Sequence, residues 1–273
     1  METVMRPHSW DGHLLLVHDS ERQRRAGVSA WVRRGLELGA KILYIERPDE
    51  PVERSLMGVL RADEVRADAA VDRGQLEIVP AGDEAYSQEF QTQAIHDGLA
   101  MGYPTVRLSG EAETAWSVMS PAAHADVEWA TDDLCQRLPV SILCQYSGGM
   151  TQATLQTVCA MHTGGVRQTL LHTSPLPGGI ALVGEVDVSN EAILRSSLMA
   201  ACSAGIGRGA FVVDLRGLDF LDVSGAKALL AATSAHRSNG GKVLLRAARP
   251  QVDRILRLLD VHRAPGTVLE GAR

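Results

Sequence analysis

His13-Leu-Leu-Leu-Val-His18, the polar Asp19-Ser-Glu-Arg-Gln23, an apolar series of Ala26, Val28, Trp31, Val32, Leu36 and Leu38, then Gly39 and Lys41-Ile-Leu-Tyr-Ile45 form the passage that decides the fold. The first run is apolar and too short for a buried helix, so it reads as a strand. The apolar positions from Ala26 to Leu38 recur on a helical period, and Gly39 supplies the residue that closes a helix. Lys41–Ile45 is a second apolar strand. A strand, a helix and a strand in close succession make the building block of a parallel sheet covered by helices.

The same alternation continues outward. Leu76–Val79, Thr105–Leu108 and Val140–Cys144 are further strand candidates. Stretches from Ser87 to Met101, Ala122 to Arg137 and Thr151 to His162 carry helical periodicity. The fold class is therefore α/β: an N-terminal layered domain with a mainly parallel sheet. Such an opening also begins RecA-like nucleotide-binding folds, which makes a nucleotide-binding RecA-like enzyme the rival reading. A phosphate cradle needs G-x-x-x-x-G-K-[ST], whose glycines let backbone N–H groups close on phosphate while Lys neutralises charge. His18 to Gly27 holds one late glycine, no Gly-Lys-Ser/Thr, and two acids that repel a triphosphate. This is a degenerate P-loop region, and no enzymatic activity and no cofactor are expected of it.

Between His162 and Ile180 the chain is rich in Gly, Pro and Thr and has no sustained period. The domain boundary is placed near Ser174, giving domains 1–173 and 174–273. After it the expected order is a strand (Ile180–Val183), a helix (Asn190–Ser203), a strand (Ala210–Asp214), a helix from Gly225 to Ser238, a strand (Val243–Arg246) and a helix from Pro250 to Leu259. Pro250 suits a first helical turn, where its missing N–H costs nothing.

Composition agrees with two domains. Of 273 residues 45% are apolar and 22% charged, enough to bury substantial cores. The net charge of −6 is uneven: residues 174–273 carry 12 Lys+Arg against 9 Asp+Glu, leaving 15 against 24 in the first 173. Neither part has the basic block of a nucleic-acid footprint, so no nucleic acid is expected as partner. All four Trp and all four Tyr precede residue 150. No apolar run approaches the ~20 residues of a membrane helix, and the N-terminus has no signal-peptide core, so no membrane association and a cytoplasmic location are expected. The four cysteines, at 135, 144, 159 and 202, form no CxxC pair and are expected to be reduced.

In the second domain, Gly184-Glu-Val-Asp187 follows the first strand and Asp214-Leu-Arg-Gly-Leu-Asp-Phe-Leu-Asp-Val-Ser-Gly225 precedes the central helix. With the order of elements, this resembles the STAS family of anti-sigma-factor antagonists over residues 174–273. Members of that family typically carry D-[ST]-[ST]-G, the second hydroxyl being phosphorylated by a kinase that doubles as the anti-sigma factor. Asp222, Ser224 and Gly225 match, so the resemblance implies Ser224 as phosphoacceptor and Asp187, Asp222 and Gly225 as switch surface. Val223 departs from the pattern and removes the first hydroxyl. The implied partner is an anti-sigma factor or serine kinase, the implied role transcription regulation, and homo-oligomer formation is left open. The plainer alternatives are that Asp222 or Ser224 is only a helix cap, or that the domain is a scaffold never phosphorylated.

In the first domain, His13, Gly35-Leu36-x-x-Gly39 before Lys41–Ile45, Glu111 with Trp116, Glu128, and Cys144-Gln-Tyr146 followed by His162 resemble the MEDS sensory domain over residues 8–165. That resemblance implies sensing of a small organic ligand, with His13, His18, Glu111, Trp116, Glu128, Cys144, Tyr146 and His162 as its candidate contacts. Where relatives continue into a charged, aromatic-containing turn, this chain has Ser147-Gly-Gly-Met150. His13, His18, Cys144 and His162 could converge at the carboxyl ends of parallel strands, but their spacing matches no strong ligand motif and no metal is expected. Glu111 and Glu128 read as a loop acid and a helix-face acid, not as a catalytic pair. Asp187 and Asp214 are expected to terminate strands.

The degenerate loop generates a direct expectation: isothermal titration of the protein with ATP and magnesium gives no saturable heat. Micromolar binding would overturn this expectation and revive the rival nucleotide-enzyme reading.

Overall fold

The computed structural model describes residues 10–204 and 209–270. They form two compact units, Trp10–Gly149 with Met161–Gly164, and Met150–Ala160 with the described residues from Gly165 onward. Among the described residues no helix is long and apolar enough to cross a membrane.

The first unit runs β1 (His13–His18), α1 (Glu21–Glu37), β2 (Lys41–Glu46), α2 (Leu56–Ala62), α3 (Asp68–Asp72), β3 (Leu76–Pro80), α4 (Gln88–Ala100), β4 (Val106–Glu111), α5 (Ala112–Trp116), α6 (Pro121–Arg137) and β5 (Val140–Ser147). Its strands are all parallel, in the order β1-β5-β4-β2-β3. The expected strand-helix-strand opening is present, and Gly39 follows α1 with φ +66. Serine hydroxyls start the long helices: Ser20 accepts from the Gln23 N–H, Ser87 from Phe90 and Ser120 from Ala123. Each removes one of the donors that a helix start leaves without a partner.

Strand alternation divides the core in two. Leu14, Leu16 and Leu143 pack with Val28, Trp31 and Val32 of α1. On the other face Ile142, Leu108 and Val106 pack with Ile95 of α4 and Leu134 of α6. A Cβ at Gly27 would lie 2.6 Å from Leu16 Cδ1, so any larger residue there would displace the Leu16 side chain between α1 and β1.

The second unit contains α7 (Gln152–Met161, but for its last residue), β6 (Gly165–Arg167), β7 (Leu171–Leu176), β8 (Gly179–Val186), α8 (Glu191–Ala204), β9 (Ala210–Leu221), α9 (Val223–Ala232), α10 (Ser234–Ser238), β10 (Lys242–Arg246), α11 (Pro250–Leu258) and β11 (Thr267–Leu269). Its strand order is β11-β10-β9-β8-β7-β6, parallel from β11 to β8 and antiparallel from β8 to β6. On α7, Gln152 donates to Ser196 Oγ at 2.6 Å and accepts from Arg195 at 2.5 Å.

Two expectations need revision here. Ser174 lies within β7 and not in a linker, because the breakers on either side of it build a meander. Gln168 Oε1 accepts the Leu170 and Leu171 N–H groups at the β6–β7 turn, and Gly178, with φ +69, turns β7 into β8. Asp214 does not end its strand. Its carboxylate accepts the Arg216 N–H at 3.0 Å and lies 3.2 Å from Arg246, and β9 continues to Leu221 beside a β8 whose register shifts twice. Asp187 does follow the end of β8, accepting from the Ser189 N–H and hydroxyl.

Leu14 is fully buried on β1 against α1. Leu14→Ala removes that packing and leaves a cavity, so it should lower the stability of the first unit by about 2–5 kcal/mol. The check is the urea midpoint read by tryptophan emission, since all four Trp lie before residue 150.

Candidate functional site

Three sequence positions four apart, His124, Glu128 and Asp132, place their side chains on one face of α6. All three are buried where an amphipathic helix would carry apolar residues. Opposite them, His13 opens β1 and Cys144 and Tyr146 lie on β5, in a register that pairs His13 with Ile142, Leu15 with Cys144 and Val17 with Tyr146. The period of two puts His13, Cys144 and Tyr146 on the same face of the sheet. His162 arrives from Met161–Gly164. A Cβ at Gly164 would lie 2.6 Å from the His13 carbonyl oxygen, so this returning backbone lies directly against β1.

Glu128 is the centre. Its Oε2 lies 3.0 Å from His13 Nε2, 3.3 Å from His162 Nε2 and 3.3 Å from Cys144 Sγ, while Cys144 Sγ is 3.4 Å from His13 Nε2. The other oxygen, Oε1, accepts from the Tyr146 hydroxyl at 3.0 Å and is 3.3 Å from His124 Nε2. His13 Nδ1 lies 2.9 Å from the Met161 carbonyl and 3.3 Å from Asp132, whose carboxylate also takes the Thr163 hydroxyl at 2.7 Å. The His13 and His162 rings stack with centroids 4.1 Å apart, and Tyr146 meets His162 edge-on at 5.8 Å. Trp116, partly exposed, stands edge-on to both His124 and Tyr146.

The electrostatics follow from burial and these contacts. Burial would deprive His13 of its proton, yet its bonds to Asp132 and Glu128 prevail and raise it to about 9. Burial also works against the Glu128 carboxylate, but His162 and His13 hold it well below the usual range. Burial, with Glu128 beside it, pushes the Cys144 thiol well above its ordinary value and the Tyr146 phenol in the same direction. Burial lowers His124. Cys144 is thus a protonated thiol here and not a reactive thiolate. His13, Glu128, Cys144 and His162 offer four ligand atoms within 4.8 Å of one another, a set able to hold a metal ion.

Of the sequence-derived contacts, His13, Glu128, Cys144, Tyr146, His162 and Trp116 come together, and His18 and Glu111 do not enter the cluster. His18 is five residues from His13 and so points to the opposite face of the sheet. It borders a cleft with Ser20, Glu21, Arg54 and Gly148, and burial lowers its pKa. Glu111 is ion-paired to the buried Arg24 at 2.9 Å and to Arg54 at 3.4 Å. A narrow cavity lined by Tyr86, Leu108, His124, Ile142, Cys144 and Glu128 runs beside the cluster and reaches Glu111. The convergence is not at the carboxyl ends of the strands, since His13 is the first residue of β1 and α6 covers it from one face. Sequence reading missed His124 and Asp132. The signal that carries them is the four-residue spacing of His, Glu and Asp along one helix.

In the second unit, Asp222 caps α9 by accepting the Gly225 N–H at 2.8 Å, and Ser224 lies half-buried in the first helical turn. Val223 is 47% exposed, whereas Gly225 is buried against Val186 and Leu221.

The family model described as MEDS, the methanogen/methylotroph DcmR sensory domain, matches residues 12–163, and that of the STAS domain matches residues 172–269. No curated protein matches the chain. Among solved structures, the anti-sigma factor antagonist SpoIIAA in its unphosphorylated form is similar at 16% identity and TM-score 0.30, over 37% of this chain and 88% of that one. The flagellar accessory protein FlaH from Methanocaldococcus jannaschii is similar at 8% identity and TM-score 0.42, over 67% of this chain and 81% of that one.

Removing the central carboxylate tests how far this cluster supports the first unit. Glu128→Gln leaves His13 and His162 facing an amide in a buried site, and breaking a buried charge network in this way costs about 3–5 kcal/mol. The urea midpoint of the tryptophan signal should fall accordingly, and an unchanged midpoint would show that the cluster has no such structural role.

Proposed function

Because the chain belongs to the MEDS family and carries a STAS domain behind it, we propose that it is a cytoplasmic signal-transduction regulator in which a sensory unit governs a phosphoswitch. The first unit takes a small organic molecule into the cavity beside Cys144 and Glu128. Occupancy then alters how the STAS unit presents Ser224 to an anti-sigma factor or serine kinase.

The observation that carries this reading is the setting of Ser224. It stands in the first turn of a ten-residue helix whose start is capped by Asp222. Free N–H groups and the positive end of the helix dipole favour an anion there. A phosphate would add about −1.5 to −2 charge beside an exposed apolar Val223, enough to expel a docked partner without unfolding the domain. Val223 also favours a second reading, in which the domain is a scaffold that docks partners and is never phosphorylated. An apolar side chain, 47% exposed, replaces the hydroxyl that its family carries there.

Phosphopeptide mapping from native cells, joined to partner binding by two variants, decides between them. Ser224→Ala should retain the anti-sigma partner constitutively, and Ser224→Asp should weaken it. Phosphate mapping elsewhere, or Ser224→Asp binding as tightly as the parent, would leave the scaffold as the surviving reading.

A further inference from the structure

We propose that His13, Glu128, Cys144 and His162 form a buried site for one divalent transition-metal ion of the zinc class. The geometry is that of a coordination shell already drawn together. Metal bonds of about 2.0–2.3 Å place tetrahedral nitrogen, oxygen and sulfur donors about 3.3–3.6 Å apart. Four donor pairs here stand at 3.0, 3.3, 3.3 and 3.4 Å, and all four atoms lie within 4.8 Å of one another.

Hydrogen bonding alone accounts for this arrangement poorly. A carboxylate oxygen has two lone-pair directions, yet Glu128 Oε2 has His13, His162 and Cys144 all within 3.3 Å. A cation at the centre resolves the crowding, since each of the four atoms then directs one lone pair inward. Charge also balances: a carboxylate and a thiolate supply two negative charges, two neutral imidazoles supply none, and a divalent ion makes the shell neutral. On binding, the Cys144 thiol proton and the proton that His13 Nε2 holds against Glu128 both leave to solvent as the Sγ–metal and Nε2–metal bonds form.

The surroundings are those of a ligand shell. Metal-bound histidine commonly directs its second nitrogen to a carbonyl or carboxylate, which fixes the ring and its tautomer. His13 Nδ1 has both, at Met161 and Asp132, and Asp132 is itself held by Thr163 and by Gln136 at 2.8 Å. The non-ligating oxygen of Glu128 is held by Tyr146 and faces His124. Two nitrogens, a thiolate and one carboxylate oxygen suit zinc, cobalt or iron(II) and not calcium or magnesium, which take oxygen shells. The site stands independently of the phosphoswitch.

The test uses the full chain without an affinity tag, stripped with a chelator and reloaded with cobalt(II) or zinc. One ion per chain is expected, and the cobalt form should show intense tetrahedral visible bands with a thiolate-to-cobalt charge-transfer band in the near ultraviolet. Cys144→Ser should abolish the charge-transfer band, Cys159→Ser should leave it, and Asp132→Asn, which keeps all four ligands, should weaken affinity about 10–100-fold. Circular dichroism checks that each variant is folded, and a misfolded Cys144→Ser is replaced by His162→Gln, expected to weaken binding. Less than about a tenth of an equivalent of either ion after reloading would overturn the site. Bands that survive Cys144→Ser, or affinities unmoved by both Asp132→Asn and His162→Gln, would do so too.

Discussion

The carboxylate of Glu128 is the constraint on which the first unit turns. It is almost wholly buried, and an isolated carboxylate in such a place would cost several kcal/mol. The fold answers by bringing five polar side chains to it from separate parts of the chain: His13 on β1, His124 one turn back on α6, Cys144 and Tyr146 on β5, and His162 on the segment after α7. Around this polar centre lie the apolar faces of a parallel sheet. Satisfying one buried charge therefore fixes the register of β1 against β5 and the rotation of α6.

That demand also explains which parts of the site could be read from the sequence. His13, Cys144 and Tyr146 sit on strands, where a period of two decides the face, so the separation of His18 from His13 follows from their odd spacing alone. His124, Glu128 and Asp132 follow a period near four, and on a helix that spacing means one face. What the sequence does not show is that this face is turned inward, because a stripe of His, Glu and Asp ordinarily marks a solvated surface. Burial becomes apparent only when β1 and β5 present partners to it.

The parallel sheet was legible for similar reasons. Its first two strands are apolar runs, its long helices begin at serines, and glycines with positive φ follow α1 and α4, signals that act over a few residues. The meander from Gly165 to Val186 was not. Short antiparallel strands need glycine and proline at their turns, and within so short a span those breakers mask the strands that they join. The continuation of β9 past Asp214 was hidden by a different cause, since a carboxylate inside a strand reads as a stop unless the neighbouring Arg246 and Arg216 backbone are known to receive it.

The path of the chain has a consequence for dividing the protein. The backbone leaves the first unit at Gly149, contributes α7 to the second, returns for Met161–Gly164 and leaves again at Gly165. No single cut yields both units whole. A fragment ending after residue 149 lacks His162, whereas one ending after residue 164 keeps it but takes from α7 its partners Arg195, Ser196 and Ser197 on α8. The two units are thus interleaved in sequence, so a protease that nicks near Gly149 would leave His162 covalently attached to the C-terminal fragment and held in place only by its contacts.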